Sequence, residues 1–300
     1  MAESIVDNTA STLTTLPHSQ RDRLAYLELH AWFLGKVSRL DLTARFGIQV
    51  AAATRDLALY RELAPGNLLF DSKAKLYRST ESFAPILVQN PQQALTWLAT
   101  GFGDAITGVD GPVVSAGLQV PLALPRLDVL SAFTRAISGG YPVRMDYTSL
   151  SSGLQRREIV PHALIDTGLR WHVRGFDRLT QSFRDFVINR AANVVPVPGG
   201  TAIPAERQTE DPDWGRILTL ELVPHPAQPS PEITRLDHGF TESTLTVKVR
   251  GAVAGYFLRK WSVDCSADAS LRGHEYRLWL RDNKHLYGVA SATLAPGYNV

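Results

Sequence analysis

The stretch LRWHVRGFD, residues 169–177, carries Arg170, His172 and Arg174 at every second position. In a β-strand that spacing puts the three potential cations on one face and Leu169, Trp171 and Val173 on the other. Like charges on one face repel, so the row predicts an anion lying over it. Neighbouring strand-like runs extend the pattern. Tyr147 and Ser149 share a face in VRMDYTSL, and Arg184 and Arg190 share parity in FRDFVINRA if no bulge intervenes. Residues 141–190 hold eight arginines (144, 156, 157, 170, 174, 178, 184, 190), five acids and no lysine. Arginine suits planar recognition of phosphate or carboxylate and stacks on bases. Any one of these arginines could equally be solvated or paired with a nearby acid such as Asp177 or Asp185. His162 and His172 read as hydrogen-bonding histidines, because no second histidine or carboxylate stands at a metal-ligand spacing.

A second basic region lies near the N-terminus. Residues 16–80 contain ten Lys or Arg (21, 23, 36, 39, 45, 55, 61, 73, 75, 78) against six acids (22, 28, 41, 56, 62, 71), an excess larger than the net charge of +2 for the whole chain. The elements that would present this charge follow from local spacing. After Pro17, Leu24, Leu27, Ala31 and Leu34 recur on a helical face, with Ser19 and Asp22 resembling a capping box and Gly35 as a stop. Ser38 with Asp41 opens a short second helix ending at Gly47. A third helix, QVAAATRDLALYREL (49–63), puts Val50, Ala53, Leu57 and Tyr60 on one face and Gln49, Ala51, Ala52 and Arg55 on another. Leu68–Phe70 and Leu76–Tyr77 around DSKAK read as a hairpin with Lys73 and Lys75 at its tip. Three helices and a hairpin in this order form a winged helix-turn-helix, whose last helix enters the DNA major groove. The side chains expected to face DNA are Arg39, Gln49, Ala52, Thr54, Arg55, Lys73 and Lys75; Gln49 and Arg55 are able to make bidentate base contacts. A basic helical bundle used for protein docking is the competing interpretation, and Asp56 and Glu62 offer Arg55 surface partners.

Composition narrows the rest. At 300 residues, 44% hydrophobic and 20% charged, the chain has material for two or three cores. Cys265 is the single cysteine, which excludes an intrachain disulfide framework and cysteine-rich zinc sites and suits a reducing cytoplasm. The polar start, MAESIVDNTASTLTTLP, lacks the order of a secretory signal, and no apolar run is long enough for a bilayer, so a cytoplasmic protein without a membrane partner is expected. No P-loop, GxGxxG, GxSxG or HExxH occurs, so neither an enzyme nor a cofactor or metal site is expected.

The expected organisation is α+β and multidomain. It runs from a disordered leader (1–16) through the winged helix-turn-helix (17–80) and a Pro/Gly-rich linker (81–126) with one helix near Gln92–Ala99. A helix through Leu127, Leu130, Phe133 and Ile137 leads a set of strands at 127–198. A unit at 205–295 follows, in which ILTLELVPH, STLTVKVRG and YRLWLRD alternate as strands and PEITRLDHGF and AGYFLRKWSVD have helical spacing, a βαβαβ order of ferredoxin-like character.

LRWHVRGFD resembles the namesake segment of WYL domains, with His172 where the family has Tyr and Val173 where it has Leu. Tyr147 and Ser149 in DYTSLSSG, Pro161-His162 and FRDFVINRA also match the family's pattern. The order of winged helix, WYL domain and C-terminal extension is similar to regulators of bacterial phage-defence operons of the BrxR/CapW type, over roughly residues 18–295. The resemblance implies a homodimeric repressor binding an inverted-repeat operator in double-stranded DNA. Its WYL domain, an Sm-like five-stranded β-barrel, would sense a nucleotide or nucleic-acid-like anion, and the extension would serve dimer contacts or ligand enclosure. It points to Tyr147, Ser149, His162, His172, Arg174, Arg184 and Arg190 as the ligand pocket, to which the parity of the basic row adds Arg170. An activator of the same architecture, or an adaptor that does not bind DNA, shares these features.

Overall fold

A computed structural model describes residues 13, 15–87, 90–101 and 122–299. The chain folds as two units, Met1–Pro161 with Ile188–Gly200 and His162–Val187 with Thr201–Val300.

The first unit opens with α1 (His18–Leu34), β1 (Lys36–Val37), α2 (Arg39–Phe46), α3 (Val50–Leu63), β2 (Leu68–Asp71) and β3 (Leu76–Ser79). Proline's fixed φ favours a helix start, and the Pro17 carbonyl accepts from the amides of Gln20 and Arg21. Ser19 therefore lies inside the helix, and the expected Ser19–Asp22 box does not form. The second box does form: the Asp41 amide donates to the Ser38 hydroxyl, and the Ser38 amide to the Asp41 carboxylate. Gly35 and Gly47 close α1 and α2 at φ +72° and +64°, where a side chain would be strained.

Leu24, Leu27, Ala31, Leu42, Ala53, Leu57 and Tyr60 make the core of this part. Val50, expected on that face, is 52% exposed because it sits in the first turn of α3, ahead of the packing surface. Leu13 and Leu16 of the expected leader pack on the same core, and most of the rest of that leader lies outside the described residues. In the linker, α4 (Pro91–Thr100) is capped by Asn90, and its Trp97 meets the rings of Tyr26 and His30 on α1. The GFGDAITGVDGP run falls almost wholly outside the described residues.

Next come α5 (Leu127–Gly139), β4 (Val143–Ser149), β5 (Gly153–Asp166), β6 (Trp171–Asp177), β7 (Ser182–Val187) and β8 (Ala191–Pro196). They form a five-stranded sheet in the order β7-β6-β5-β4-β8. Among the described residues the sheet does not close into a barrel; β7 and β8 are its ends. FRDFVINRA is not one strand, since Ile188–Arg190 make a turn of 3₁₀ helix between β7 and β8.

The C-terminal region runs α6 (Pro212–Gly215), β9 (Ile217–Pro224), α7 (Pro231–Asp237), β10 (Leu245–Arg250), α8 (Gly251–Lys260), β11 (Val263–Asp264) and β12 (Leu278–Leu280). Its sheet order is β10-β9-β12-β11. β10 pairs antiparallel with β9, so α7 lies within a long hairpin connection and not in the parallel crossover that a ferredoxin-like unit needs. Leu218, Leu220, Leu222, Leu258, Leu278 and Leu280 form the core. Gly255 is required there, because a Cβ would stand 1.7 Å from the Ser291 carbonyl oxygen. Ser291 fastens α8 by accepting from the Gly255 amide at 3.0 Å and donating to the Gly251 carbonyl at 2.7 Å.

Candidate nucleic-acid interface and the buried arginine cluster

Gln49 caps helix α3: its carbonyl accepts from the amides of Ala52 and Ala53, and its side chain is exposed, leaving it available to a partner. Arg55 and Thr54 are exposed and Ala52 half-buried, so the helix presents a low surface with one long cation. The Thr54 hydroxyl donates to the Val50 carbonyl at 2.8 Å and is used within the helix. Asp56, expected as a surface partner of Arg55, is buried. It accepts from Arg23 Nε at 2.5 Å and Gln20 Nε2 at 3.0 Å, which ties α3 to α1. Arg39, in the first turn of α2, is half-exposed.

The hairpin β2–β3 is the wing. Asp71 accepts from the amides of Lys73 and Ala74 at 3.1 and 2.9 Å and from Arg78 Nε at 2.9 Å, and these bonds hold its carboxyl below the usual range. Lys73 and Lys75 stand exposed at the turn, Lys75 at φ +58°. A recognition helix with an exposed arginine beside a wing with two lysines suits base-edge contact flanked by phosphate contact.

The row Arg170, His172 and Arg174 does not lie on one exposed face. In β6, His172 and Arg174 share a face and both are buried, whereas Arg170 lies exposed before the strand and Leu169 is 66% exposed. The anions over Arg174 are the protein's own carboxylates. Arg174 donates from Nε and Nη2 to the two oxygens of Asp211 at 2.6 and 2.8 Å and from Nη1 to Asp185 at 2.8 Å, with Asp213 at 3.9 Å. His162 Nε2 meets Asp211 at 2.9 Å, the Trp214 amide donates to Asp211 at 3.1 Å, and the Tyr256 hydroxyl donates to Asp185 at 3.0 Å. The His172 ring lies 5.3 Å from that of Tyr256. Burial opposes ionisation of Asp211, but hydrogen bonds from His162 and Arg174 outweigh it and hold the carboxyl far below its ordinary value. Burial likewise weakens the Arg174 charge, and the surrounding carboxylates more than restore it.

His162, His172 and Arg174 thus come together around Asp211, Asp213 and Tyr256, which no motif or periodicity in the sequence singles out. The one local signal was Asp211-Pro212, the pattern of a helix cap followed by proline at the first helical position. Arg184 is not with them. The register sets Asp185 opposite Arg174 and Arg184 opposite Gly175, so Arg184 points from the other face and is exposed. Arg190 sits half-buried in the 3₁₀ turn, which breaks the parity assumed for it. In the first unit, Tyr147 is buried on β4 opposite Gln155 and Ala191, and the Ser149 hydroxyl pairs with that of Ser151 at 3.1 Å. Among the described residues no group of three His, Cys, Asp or Glu could hold a metal ion, and no helix is long and apolar enough to cross a membrane.

Residues 19–100 match the family described as the BrxR transcriptional regulator winged helix-turn-helix domain, residues 128–196 the WYL domain, and residues 217–286 the BrxR transcriptional regulator C-terminal dimerization domain. The DNA-binding transcriptional repressor CapW of Stenotrophomonas maltophilia is 29% identical over 88% of this chain and 93% of its own length. The CapW of Escherichia coli strain KTE188 is 30% identical over 80% and 81%, and that of Pseudomonas aeruginosa 32% over 69% and 70%. Proteasome accessory factor B/C of Arthrobacter aurescens matches 91% of this chain at 16% identity and a TM-score of 0.25, and the chain spans about half of that protein's length, 48%. With 30% identity across four-fifths of both chains and all three component domains in order, the chain belongs to the CapW family of DNA-binding transcriptional repressors.

Proposed function

We propose that this chain is a cytoplasmic, homodimeric transcriptional repressor of a phage-defence operon that binds an inverted-repeat operator and is released by a nucleotide or nucleic-acid-like anion. The observation that carries the DNA part is the pairing of the exposed Gln49, which caps α3, and the exposed Arg55 on α3, with the half-buried Ala52 between them, with the exposed Lys73 and Lys75 of the wing. The match to a dimerization domain over 217–286 supports two-fold binding, since one short recognition helix contacts too few base pairs for useful specificity. The curated relatives named as repressors favour repression over activation.

The sensing part rests on the WYL match and its arginines. The five-stranded sheet with its leading helix α5 is proposed as the family's Sm-like element, and Tyr147, Ser149, His162, Arg170, His172, Arg174, Arg184 and Arg190 as its ligand residues. Arg174 already holds two carboxylates, so an incoming anion would compete with Asp185 and Asp211, whereas Arg170 and Arg184 are exposed and open to it. Such competition would convert ligand binding into a rearrangement around β6, and a ligand preferring the rearranged form would weaken DNA binding by its differential affinity.

A gel-shift assay of the protein with the DNA upstream of its own gene, with and without nucleotides and short oligonucleotides, tests this. A palindromic shift at nanomolar protein, reversed by one ligand class, is the expected result. Absence of any sequence preference would overturn the DNA-binding part.

A further inference from the structure

In the first unit a cavity of about 320 Å³ opens between β1 and β3 of the winged helix and the C-terminal half of α5. Its lining includes three cations, Lys36, Arg78 and Arg135, and one acid, Glu81, with Ser138 and Tyr141 beside them. Lys36 and Arg78 are direct cross-strand partners in the antiparallel β1–β3 pair, an arrangement in which like charges destabilise the sheet unless something neutralises them. Arg78 is shared with Asp71 on the wing; Lys36 is exposed.

Arg135 is half-buried on α5. Its Nε donates to the Trp32 carbonyl at 2.5 Å, and its guanidinium lies 5.5 Å from the centre of the Phe83 ring. Among the described residues no carboxylate pairs with it and its two terminal nitrogens make no hydrogen bond. Burial without a counter-charge lowers its pKa, the reverse of what a paired arginine shows. A planar, partly desolvated guanidinium with its fork unused, facing two further cations across a concave space, matches a tetrahedral oxyanion with several acceptor oxygens. The volume is at the small end for a ligand site and suits a phosphate group, not a whole cofactor.

We propose that this cleft is a phosphate-binding site formed by Lys36, Arg78 and Arg135. Because β3 belongs to the wing and Arg135 to the helix that leads the WYL sheet, an anion held here would pin the wing to α5. The phosphate could belong to a small molecule or to a DNA backbone; the chemistry is the same.

Isothermal titration of the full chain separates these. Inorganic phosphate, adenosine 5′-monophosphate and a scrambled duplex of about 12 base pairs are titrated into the wild type, Lys36→Gln, Arg78→Gln and Arg135→Gln, each checked for folding by circular dichroism. Lys36 and Arg78 are exposed, so their variants keep the test open should Arg135→Gln unfold. Saturable binding of phosphate or the monophosphate, weakened at least about fivefold in every folded variant, supports a small-molecule phosphate. No free-phosphate binding, but a duplex salt slope that falls by about one per cation removed, supports a backbone phosphate. Phosphate binding and duplex salt slope both unchanged by the substitutions would overturn the proposal.

Discussion

Arg174 on β6 and Asp211 before α6, 37 residues apart in sequence, meet through two parallel hydrogen bonds in a site where the arginine is 4% and the aspartate 1% exposed. A bidentate pair of this kind costs desolvation on both sides, and its energetic importance lies in what happens when one member is lost. Asp211→Ala leaves Arg174 with Asp185 alone at hydrogen-bond distance and also strips His162 Nε2 of its partner. We expect a destabilisation of about 3–5 kcal/mol, measured as a shift in urea unfolding followed by the fluorescence of adjacent Trp214. Arg174→Met combined with Asp211→Leu should recover only part of that loss, since it removes the unpaired arginine but leaves Asp185 with the Tyr256 hydroxyl in place of a cation.

The same carboxylate gives a pH dependence whose sign is fixed. The Asp211 pKa is depressed in the folded chain, so its contribution is complete above the unfolded value near 3.8 and is lost as pH falls from there through the folded value. Unfolding midpoints recorded from about pH 5 to about pH 2.5 should fall in the wild type and fall less in Asp211→Asn, which is destabilised at neutral pH but has no proton to take up. Asp264 is depressed too, by hydrogen bonds from Ser266, His225 and Leu271, so the difference between the two proteins, not the wild-type slope, reports Asp211. Identical slopes would show that the Asp211 carboxyl has the same pKa in the folded and the unfolded chain.

The winged helix was readable because its signals are local. The Ser38–Asp41 box and the glycines at 35 and 47 act within one turn of chain, and the structure contains each of them. Where partners are distant the sequence was silent. Asp56 is drawn inward by Arg23, 33 residues away, and Arg174 by Asp211; periodicity cannot report a partner on another element. Strand parity misled at Arg184 and Arg190 for a third reason. Parity assumes an unbroken strand and says nothing about cross-strand register, and here the register places Asp185, not Arg184, beside Arg174, while the 3₁₀ turn at 188–190 resets the count.

At the DNA-facing unit, lysine and arginine substitutions should separate. Lys73→Ala and Lys75→Asn remove phosphate contacts; asparagine is chosen at 75 because it tolerates the left-handed backbone at φ +58°. Each should weaken all duplexes and lower the slope of log affinity against log salt by about one. Arg55→Ala should cost about 1–3 kcal/mol on the operator and far less on random DNA. Anisotropy titrations at three salt concentrations on both duplexes measure this, and a wing variant with an unchanged slope would refute the assignment of the wing.

Two-fold binding has a geometric consequence. If dimerization through the C-terminal domain fixes the spacing of the two recognition helices, inserting about five base pairs between operator half-sites turns one half-site to the opposite face of the duplex, and about ten restores the face. Affinity should drop with the first insertion and partly return with the second, whereas a monomer reading a single site would be indifferent to both. Light scattering of the free protein should give twice the chain mass of 33.0 kDa.

The two arginines on opposite faces of the β6–β7 ladder distinguish sensing from support. Arg174 is caged by Asp185 and Asp211, so Arg174→Ala strands buried carboxylates and should lower stability whether or not a ligand exists. Arg184 is exposed, opposite Gly175, and its removal disturbs no buried charge. If the exposed arginines receive the effector's anion, Arg184→Ala keeps the wild-type unfolding midpoint and ligand-free operator affinity but needs at least about tenfold more nucleotide to release DNA, an ordinary loss for one charge-assisted contact. Operator binding is titrated with nucleotide for both variants, alongside thermal unfolding. Should Arg184→Ala respond to nucleotide as the wild type does, the effector does not use that face, and the sensing role would have to lie with the caged arginine or with Tyr147 and Ser149 on β4.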